Sequence, residues 1–206
     1  MYNHSTIRMA TQIVETYDKE NINKLPIERF EGNIYIIDNE SEVVKAVNYL
    51  LTQPLLGFDT ETRPCFQKGK LHKVALLQVA TANQCFLFRL NRMEGIPTPI
   101  QSLLEDSTIT KVGLGLKDDM MNLRKRAEFT PGTFIDIQDE ITKLGIKDKS
   151  LQKIYANLFA KKIAKRQQLS NWEADVLSVA QQQYAAIDAW ACIRIYNEIK
   201  KLLTSK

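Results

Sequence analysis

Acidic side chains are the residues best suited to chemistry in this chain of 206 residues, which contains only 2 histidines. Asp59 and Glu61 form one of three Asp-x-Glu pairs, and this pair lies within or at the end of an apolar strand. Alternation along a strand places both carboxylates on one sheet face, about 6–7 Å apart. Two like charges so placed need a cation. The pairs at Asp18 and Asp38 have ordinary explanations, in a polar stretch and at a helix start.

Two further carboxylates are predicted to point inward from helices. Asp188 falls on the apolar stripe of the C-terminal helix, where an uncompensated carboxylate is costly, and Tyr184 lies one turn earlier on the same face. A backbone or basic partner would also satisfy Asp188, and Tyr184 would then be an ordinary core residue. In the helix that begins near Leu116, Asp119 borders the buried stripe whereas Asp118 faces water. Helical phase therefore selects Asp119 from that adjacent pair.

Four acids from separate elements predict a metal site if they converge. Hard oxygen ligands of this number suit Mg²⁺ or Mn²⁺. Two such ions about 3.5–4 Å apart bind both the attacking and the leaving oxygen of a phosphoryl displacement. The sequence thus predicts two divalent cations, Mg²⁺ or Mn²⁺, and metal-dependent phosphodiester chemistry.

A single α/β domain is predicted to position these acids. Residues 1–30 are expected to form an N-terminal extension and residues 31–206 the domain itself, with Ser41 as the N-cap of its first helix. The runs LLGFDTET, VALLQVAT and QCFLFRL indicate an antiparallel meander with a hairpin at ANQ. Beyond them, KVGLG and FIDIQ alternate with helices, which is typical of parallel strands. We therefore expect a mixed sheet of five or six strands flanked by helices.

Composition and charge limit the possible environments and partners. The net charge of +4 permits a polyanionic partner without requiring one. No run approaches the about 20 apolar residues of a membrane span. The 3 cysteines are far apart, which fits a reducing compartment better than a disulfide framework. We expect a cytoplasmic protein with no membrane contact and no organic cofactor.

Three segments resemble the motifs of the DEDD 3′→5′ exonucleases, in the tyrosine-bearing subclass with the ribonuclease H-like fold. They are GFDTETRP at 57–64, KVGLGLKDDMMNL at 111–123 and YAAIDAWACIRIY at 184–196. The segments KGKLHKVALLQVAT and LSNWE are also similar to Werner-type exonuclease domains and their bacterial stand-alone relatives. The resemblance runs from about residue 32 to the C-terminus and implies an α/β, ribonuclease H-like exonuclease fold.

The resemblance implies a role for each acid and for the tyrosine. Asp59 would bridge both ions, while Glu61 and Asp188 would complete the site on the nucleophile side. Asp119 would hold the ion on the leaving-group side, partly through water. Tyr184 would orient the attacking water or hydroxide.

The implied activity is removal of nucleoside 5′-monophosphates from a nucleic acid with a free 3′ end, with DNA slightly favoured over RNA. A ribonuclease D-like enzyme that processes RNA 3′ ends is one alternative, and a nucleic-acid-binding module that has lost catalysis is another. For the basic residues among the candidate contacts, an ordinary solvated face remains the alternative. The residues predicted to contact the nucleic acid or support the site are Thr60, Thr62, Lys68, Lys70, Lys73, Gln78 and Trp172.

Overall fold

The computed structural model of this protein describes residues 13–65 and 71–205. The strands are β1 (Asn33–Ile37), β2 (Leu55–Thr62), β3 (Val74–Ala80), β4 (Gln84–Phe88), β5 (Thr110–Gly113) and β6 (Phe134–Asp136). The helices are α1 (Lys19–Lys24), α2 (Glu40–Leu50), α3 (Thr98–Glu105), α4 (Leu116–Arg124), α5 (Ile137–Glu140), α6 (Leu151–Phe159) and α7 (Val179–Thr204). Two 3₁₀ segments lie at Leu90–Arg92 and Ile141–Leu144.

One mixed sheet contains these six strands in the order β1-β4-β3-β2-β5-β6. β2, β3 and β4 form the predicted antiparallel meander, and β5 and β6 extend the sheet in parallel beyond β2. β1 pairs in parallel with β4 at the opposite edge. The predicted α/β class, with a mixed sheet flanked by helices, is confirmed. β2 lies inside the sheet, so a side chain on it is positioned by neighbouring strands on both sides.

Alternate residues of β2 face different layers of the protein. Leu56 and Phe58 pack into the apolar core that also contains residues of α2 and α3. Because side chains alternate along a strand, Gly57, Asp59 and Glu61 face the opposite side, where α7 covers the sheet. A side chain at Gly57 would collide with the backbone of α7 at Ala189. Glycine therefore lets α7 approach β2 closely, next to the two acids.

The long helix α7 covers this face of the sheet. It spans 26 residues and begins with a capping box, in which Ser178 and Gln181 satisfy each other's backbone N–H groups. Its inward face includes Ala185, Ala189 and Asp188, all buried. Within residues 13–65 and 71–205, no helix combines the length and the apolar character needed to cross a membrane.

The start of α2 differs from the prediction. Asn39, not Ser41, is the N-cap, and its side-chain oxygen accepts a hydrogen bond from the backbone N–H of Glu42 at 3.1 Å. Ser41 lies in the first turn, where its hydroxyl donates to Asn39 at 2.9 Å. Both residue types cap helices well. The prediction was wrong because two suitable caps stand two positions apart, and sequence alone does not rank them.

Residues 13–30 pack against the domain, and Glu28 makes the most polar of these contacts. Its carboxylate accepts hydrogen bonds from the Tyr155 hydroxyl at 2.8 Å, Lys161 Nζ at 2.9 Å and Arg194 Nη1 at 3.1 Å. Nearby, the side chain of Asn157 bonds both the N–H and the C=O of Val14. This part of the N-terminal segment therefore lies in defined contact with α6 and α7. The division of the chain at residue 30 stays a prediction.

Replacement of Glu28 by Gln is expected to destabilise the fold by about 1.5–3 kcal/mol at neutral pH, the range for hydrogen bonds to charged groups. Burial tends to raise the pKa of Glu28, but hydrogen bonds from Lys161 and Tyr155 and the charges of Lys161 and Arg194 together lower it. A lowered carboxyl pKa stabilises the fold above the unfolded value and loses that contribution as pH falls. Urea unfolding at about pH 7 and about pH 3 should show the difference between wild type and Glu28→Gln shrinking in acid. A difference independent of pH would contradict the assignment.

Candidate active site

Three carboxylates converge between β2 and α7. Asp59 and Glu61 come from β2, and Asp188 comes from α7. One carboxylate oxygen of each residue lies within 4.8 Å of those of the other two. The two strand acids lie on one face of the sheet, as the alternation of side chains along a strand predicts. Asp188 lies close to them because Gly57 has no side chain and lets α7 approach β2 closely.

The fourth acid, Asp119, reaches the site from α4. The hydroxyl of Thr60 donates a hydrogen bond to the Asp119 carboxylate, which ties this helix to β2 beside Asp59. Asp119 is half-buried whereas its neighbour Asp118 is exposed, as the helical phase predicts. Asp119 stands outside the group of three whose oxygens lie within 4.8 Å, but its charge contributes to the raised pKa of both Asp59 and Glu61.

Asp136 orients the helix that carries Asp119. Its carboxylate accepts hydrogen bonds from the backbone N–H groups of Gly115 at 3.0 Å and Leu116 at 2.8 Å, at the start of α4. Gly115 has a φ of 74°, which favours glycine at this turn. Sequence analysis missed Asp136, although an acid at the end of a strand was a usable signal. It acts as an anchor for α4 from β6, which lies two strands away from β2 in the sheet.

Burial is the largest cause of unusual pKa values throughout the site. It raises the pKa of Glu61 to about 9, of Asp188 to about 7 and of Asp119 to about 6, and it raises that of Asp59 well above its ordinary value. The charges of Asp188, Asp119 and Glu61 add to the effect on Asp59. Negative charge in such a place requires either protons or cations. Buried, hard oxygen donors that repel one another fit divalent cations such as Mg²⁺ or Mn²⁺.

Tyr184 lies one helical turn before Asp188 and lines the same cavity. Its ring packs against Trp172, with the ring centroids 6.0 Å apart. Burial, together with the charges of Asp188 and Glu61, raises the pKa of Tyr184 further above its ordinary value. The phenol therefore stays un-ionised at neutral pH and offers a hydroxyl group rather than a phenolate.

A cavity of about 300 Å³ opens over these groups, a volume at the lower end of the range for small-molecule sites. Its other polar lining residues are Thr60, Ser150, Gln152, Lys165 and Gln168. Sequence analysis does not place Ser150, Gln152, Lys165 or Gln168 at the site, although α6 and the loop after it bring these residues to the cavity. The signal was weak because the segment 160–170 is irregular and has no periodic pattern.

The remaining predicted contact residues occupy different environments. Thr62 is half-buried where β2 pairs with Val74. Lys73 is exposed before β3, while Lys68 and Lys70 lie outside the described residues. Gln78, which pairs in register with Asp59, and Trp172 are completely buried. Full burial suits support of the site better than direct contact with a substrate, and a nucleic-acid contact by any of these residues stays a prediction.

The comparisons with known sequences all indicate the same protein family. Residues 34–204 match the family model described as 3'-5' exonuclease. A 3'-5' exonuclease of Arabidopsis thaliana is 34% identical over 193 residues, which cover 86% of this chain and 67% of that protein. The bifunctional 3'-5' exonuclease/ATP-dependent helicase WRN of Mus musculus is 28% identical over 209 residues, covering 94% of this chain and 15% of that protein. The chain thus spans a small part of the murine protein.

Solved structures share the fold. The Nibbler EXO domain of Aedes aegypti superposes with a TM-score of 0.76 at 21% identity, covering 84% of this chain and 89% of that one. RNase D of Escherichia coli, described as an exoribonuclease involved in structured RNA processing, gives a TM-score of 0.73 at 19% identity. The match covers 84% of this chain and 46% of that one. The fold is therefore the ribonuclease H-like exonuclease fold. Since the family model covers most of the sequence, the chain belongs to the DEDD family of 3′→5′ exonucleases and is a hydrolase of that class.

Proposed function

We propose that this exonuclease removes nucleoside 5′-monophosphates from the 3′ end of a nucleic acid by a mechanism that uses two divalent cations. The family implies divalent metal ions as cofactors, and the choice of Mg²⁺ or Mn²⁺ is part of the proposal. One observation carries it: three carboxylates lie within 4.8 Å of one another beneath a cavity, with a fourth tied to the same strand. Four carboxylates buried this closely together would not all be ionised at neutral pH unless cations were bound among them.

Asp59 would take part in both cation sites, because it clusters with Glu61 and Asp188 and its neighbour Thr60 bonds Asp119. Glu61 and Asp188 would hold one cation with Asp59, and Asp119 would hold the other, partly through water. When bound, the two cations would supply the positive charge that activates a water molecule and stabilises the leaving oxygen. The protein's own contribution is to keep four carboxylates at fixed positions from three separate elements.

Tyr184 would orient the attacking water. Its phenol is un-ionised at neutral pH, so it can accept and donate a hydrogen bond but is a poor general base. Packing against Trp172 limits the movement of the ring. The expected contribution of Tyr184 is therefore the position of the nucleophile rather than removal of its proton.

DNA and RNA are the two candidate substrates. We favour DNA slightly, on the similarity to the exonuclease/helicase protein of the mouse. The likeness of the fold to an RNase D supports the second candidate, an enzyme that processes RNA 3′ ends. The presence of all four acids and Tyr184 argues against a binding module without catalysis. The expected cytoplasmic location stays a prediction.

A direct test uses DNA and RNA oligonucleotides of identical sequence, each labelled at the 5′ end. With Mg²⁺ or Mn²⁺, the labelled strand should shorten stepwise from its 3′ end, and nucleoside 5′-monophosphates should appear. Chelation with EDTA should stop the reaction, and cation added in excess should restore it. Binding without shortening in either metal would favour the silent binding module, and faster shortening of RNA would favour the ribonuclease D-like alternative.

Asp118 and Asp119 provide a matched pair of variants in α4. Asp119→Asn is expected to lower kcat at least about a hundredfold, because it removes a metal ligand on the leaving-group side. Asp118→Asn removes the same charge from an exposed neighbouring position and should keep activity within about threefold. Steady-state kinetics at saturating Mg²⁺ measure both. An equal loss in the two variants would mean that helical phase selects the wrong acid.

A further inference from the structure

The segment 163–168 separates the catalytic cavity from a second cavity of about 650 Å³. Ile163 and Lys165 line the catalytic cavity, whereas Ala164 and Arg166 line the second one. Such alternation is what an extended backbone produces. The two adjacent basic residues therefore serve different cavities, and only Lys165 shares one with the carboxylates.

The Lys165 side chain is not committed to another group. It is exposed and makes no hydrogen bond or ion pair with any residue in the described parts of the chain. Its neighbours differ, since Lys161 binds Glu28 and Lys162 Nζ donates to the backbone of Asn23. Among the described residues that line the catalytic cavity, Lys165 is the one cation. Burial raises the pKa of Asp188, and the charge of Lys165 partly opposes that rise.

Backbone contacts two and three residues before Lys165 hold this stretch of chain at the wall of the cavity. The N–H and C=O of Lys162 bond the C=O of Pro26 and the N–H of Glu28, each at 2.9 Å. The C=O of Ile163 accepts a hydrogen bond from the Gln152 side chain at 2.8 Å, and Ile163 itself is buried. The N-terminal segment thus supports the stretch of chain that carries Lys165.

On the basis of the proposed function, we propose that Lys165 contacts the substrate and binds a non-bridging oxygen of the phosphodiester group at its 3′ end. Two divalent cations bound among the four carboxylates would balance the charge of those acids, so the negative charge of an entering phosphate needs a further positive group. The ammonium of Lys165, which lines the same cavity, would provide a charge-assisted hydrogen bond to the phosphate. Lys165 would therefore position the substrate without being a metal ligand.

Lys165→Gln tests this by removing the charge from a side chain of similar length. With an oligonucleotide and saturating Mg²⁺, KM is expected to rise about tenfold while kcat stays within about threefold, since the contact is present before and during the reaction. Lys165→Arg should restore most of the affinity because it keeps the charge. Arg166→Gln is the matched control: it removes the same charge one residue away, from the second cavity, and should change KM less than about twofold.

A second measurement isolates the phosphate contact. Adenosine 5′-monophosphate should bind the Lys165→Gln protein about tenfold more weakly than wild type, while binding of adenosine should be unchanged. Unchanged KM and unchanged nucleotide binding in Lys165→Gln would overturn the proposal, as would equal losses in Arg166→Gln. If the wild type binds the nucleotide but releases none from oligonucleotides, the proposed function fails, and the comparison of nucleotide with nucleoside still decides the role of Lys165.

Discussion

Asp59→Asn is expected to reduce nucleotide release at least about a thousandfold while the protein stays folded, because it removes the ligand that we propose both cations share. The amide keeps the shape of the side chain and removes its charge. Asp188→Asn should have a similar effect, since Asp188 lies on the other side of the same group. Steady-state and single-turnover kinetics at saturating Mg²⁺ separate the loss of chemistry from weaker substrate binding.

The same Asp59→Asn variant should be at least as stable as wild type in the absence of metal, because it relieves repulsion among buried carboxylates. Thermal unfolding with EDTA measures this, and circular dichroism confirms the fold. Asp118→Asn serves as the control for both activity and stability. Near-normal cleavage by Asp59→Asn at high Mg²⁺ would contradict the metal assignment, whereas loss of folded protein would show that the acid is needed for the fold.

Removal of divalent cations is expected to make stability fall steeply as pH rises. The carboxyl pKa of Asp188 is about 7 and that of Glu61 about 9 in the folded protein, both above their ordinary values. A carboxyl group with a raised pKa binds its proton more tightly in the folded state, so stability declines between the unfolded and the folded pKa. For Asp188 alone the loss over this whole range is on the order of 4 kcal/mol. Chelator-treated protein should therefore be markedly more stable at about pH 5 than at about pH 8.5.

Addition of Mg²⁺ should reverse this loss at high pH, because cations that bind only the folded state stabilise it by mass action. Thermal unfolding across pH, with EDTA or with Mg²⁺, measures the effect. Asp59→Asn should flatten the pH dependence and weaken the response to Mg²⁺. A melting temperature that is the same at both pH values in EDTA would contradict the picture of a repulsive, buried carboxylate group.

Local patterns in the sequence predict the parts of the site that depend on one element. The period of a strand places Asp59 and Glu61 on one face, and the phase of a helix separates Asp119 from Asp118. The same reasoning predicts the meander and the parallel strands that follow it. Each of these inferences uses residues close together in the chain, where geometry is fixed by φ and ψ alone.

Features that depend on contacts between distant elements are harder to predict. The position of Lys165 results from pairing of Lys162 with residues 26–28, and no local pattern announces that pairing. Asp136 likewise holds the start of α4, where its hydrogen-bond partner Leu116 lies 20 residues earlier in the chain. The N-cap of α2 is a smaller example. Ser41 and Asn39 are both suitable capping residues, and the structure uses Asn39.

The packing of α7 against β2 has a consequence for the synthesis of the protein. About 130 residues separate Asp59 from Asp188. Because the ribosome adds roughly 5–20 residues per second, synthesis of this stretch takes on the order of ten seconds. Until α7 has emerged and docked, the nascent chain has three of its four acids but lacks Asp188, and the sheet face that α7 covers is exposed. A nuclease of this design therefore stays inactive for most of its own translation, and a product that terminates before Asp188 has no complete centre with which to degrade nucleic acid.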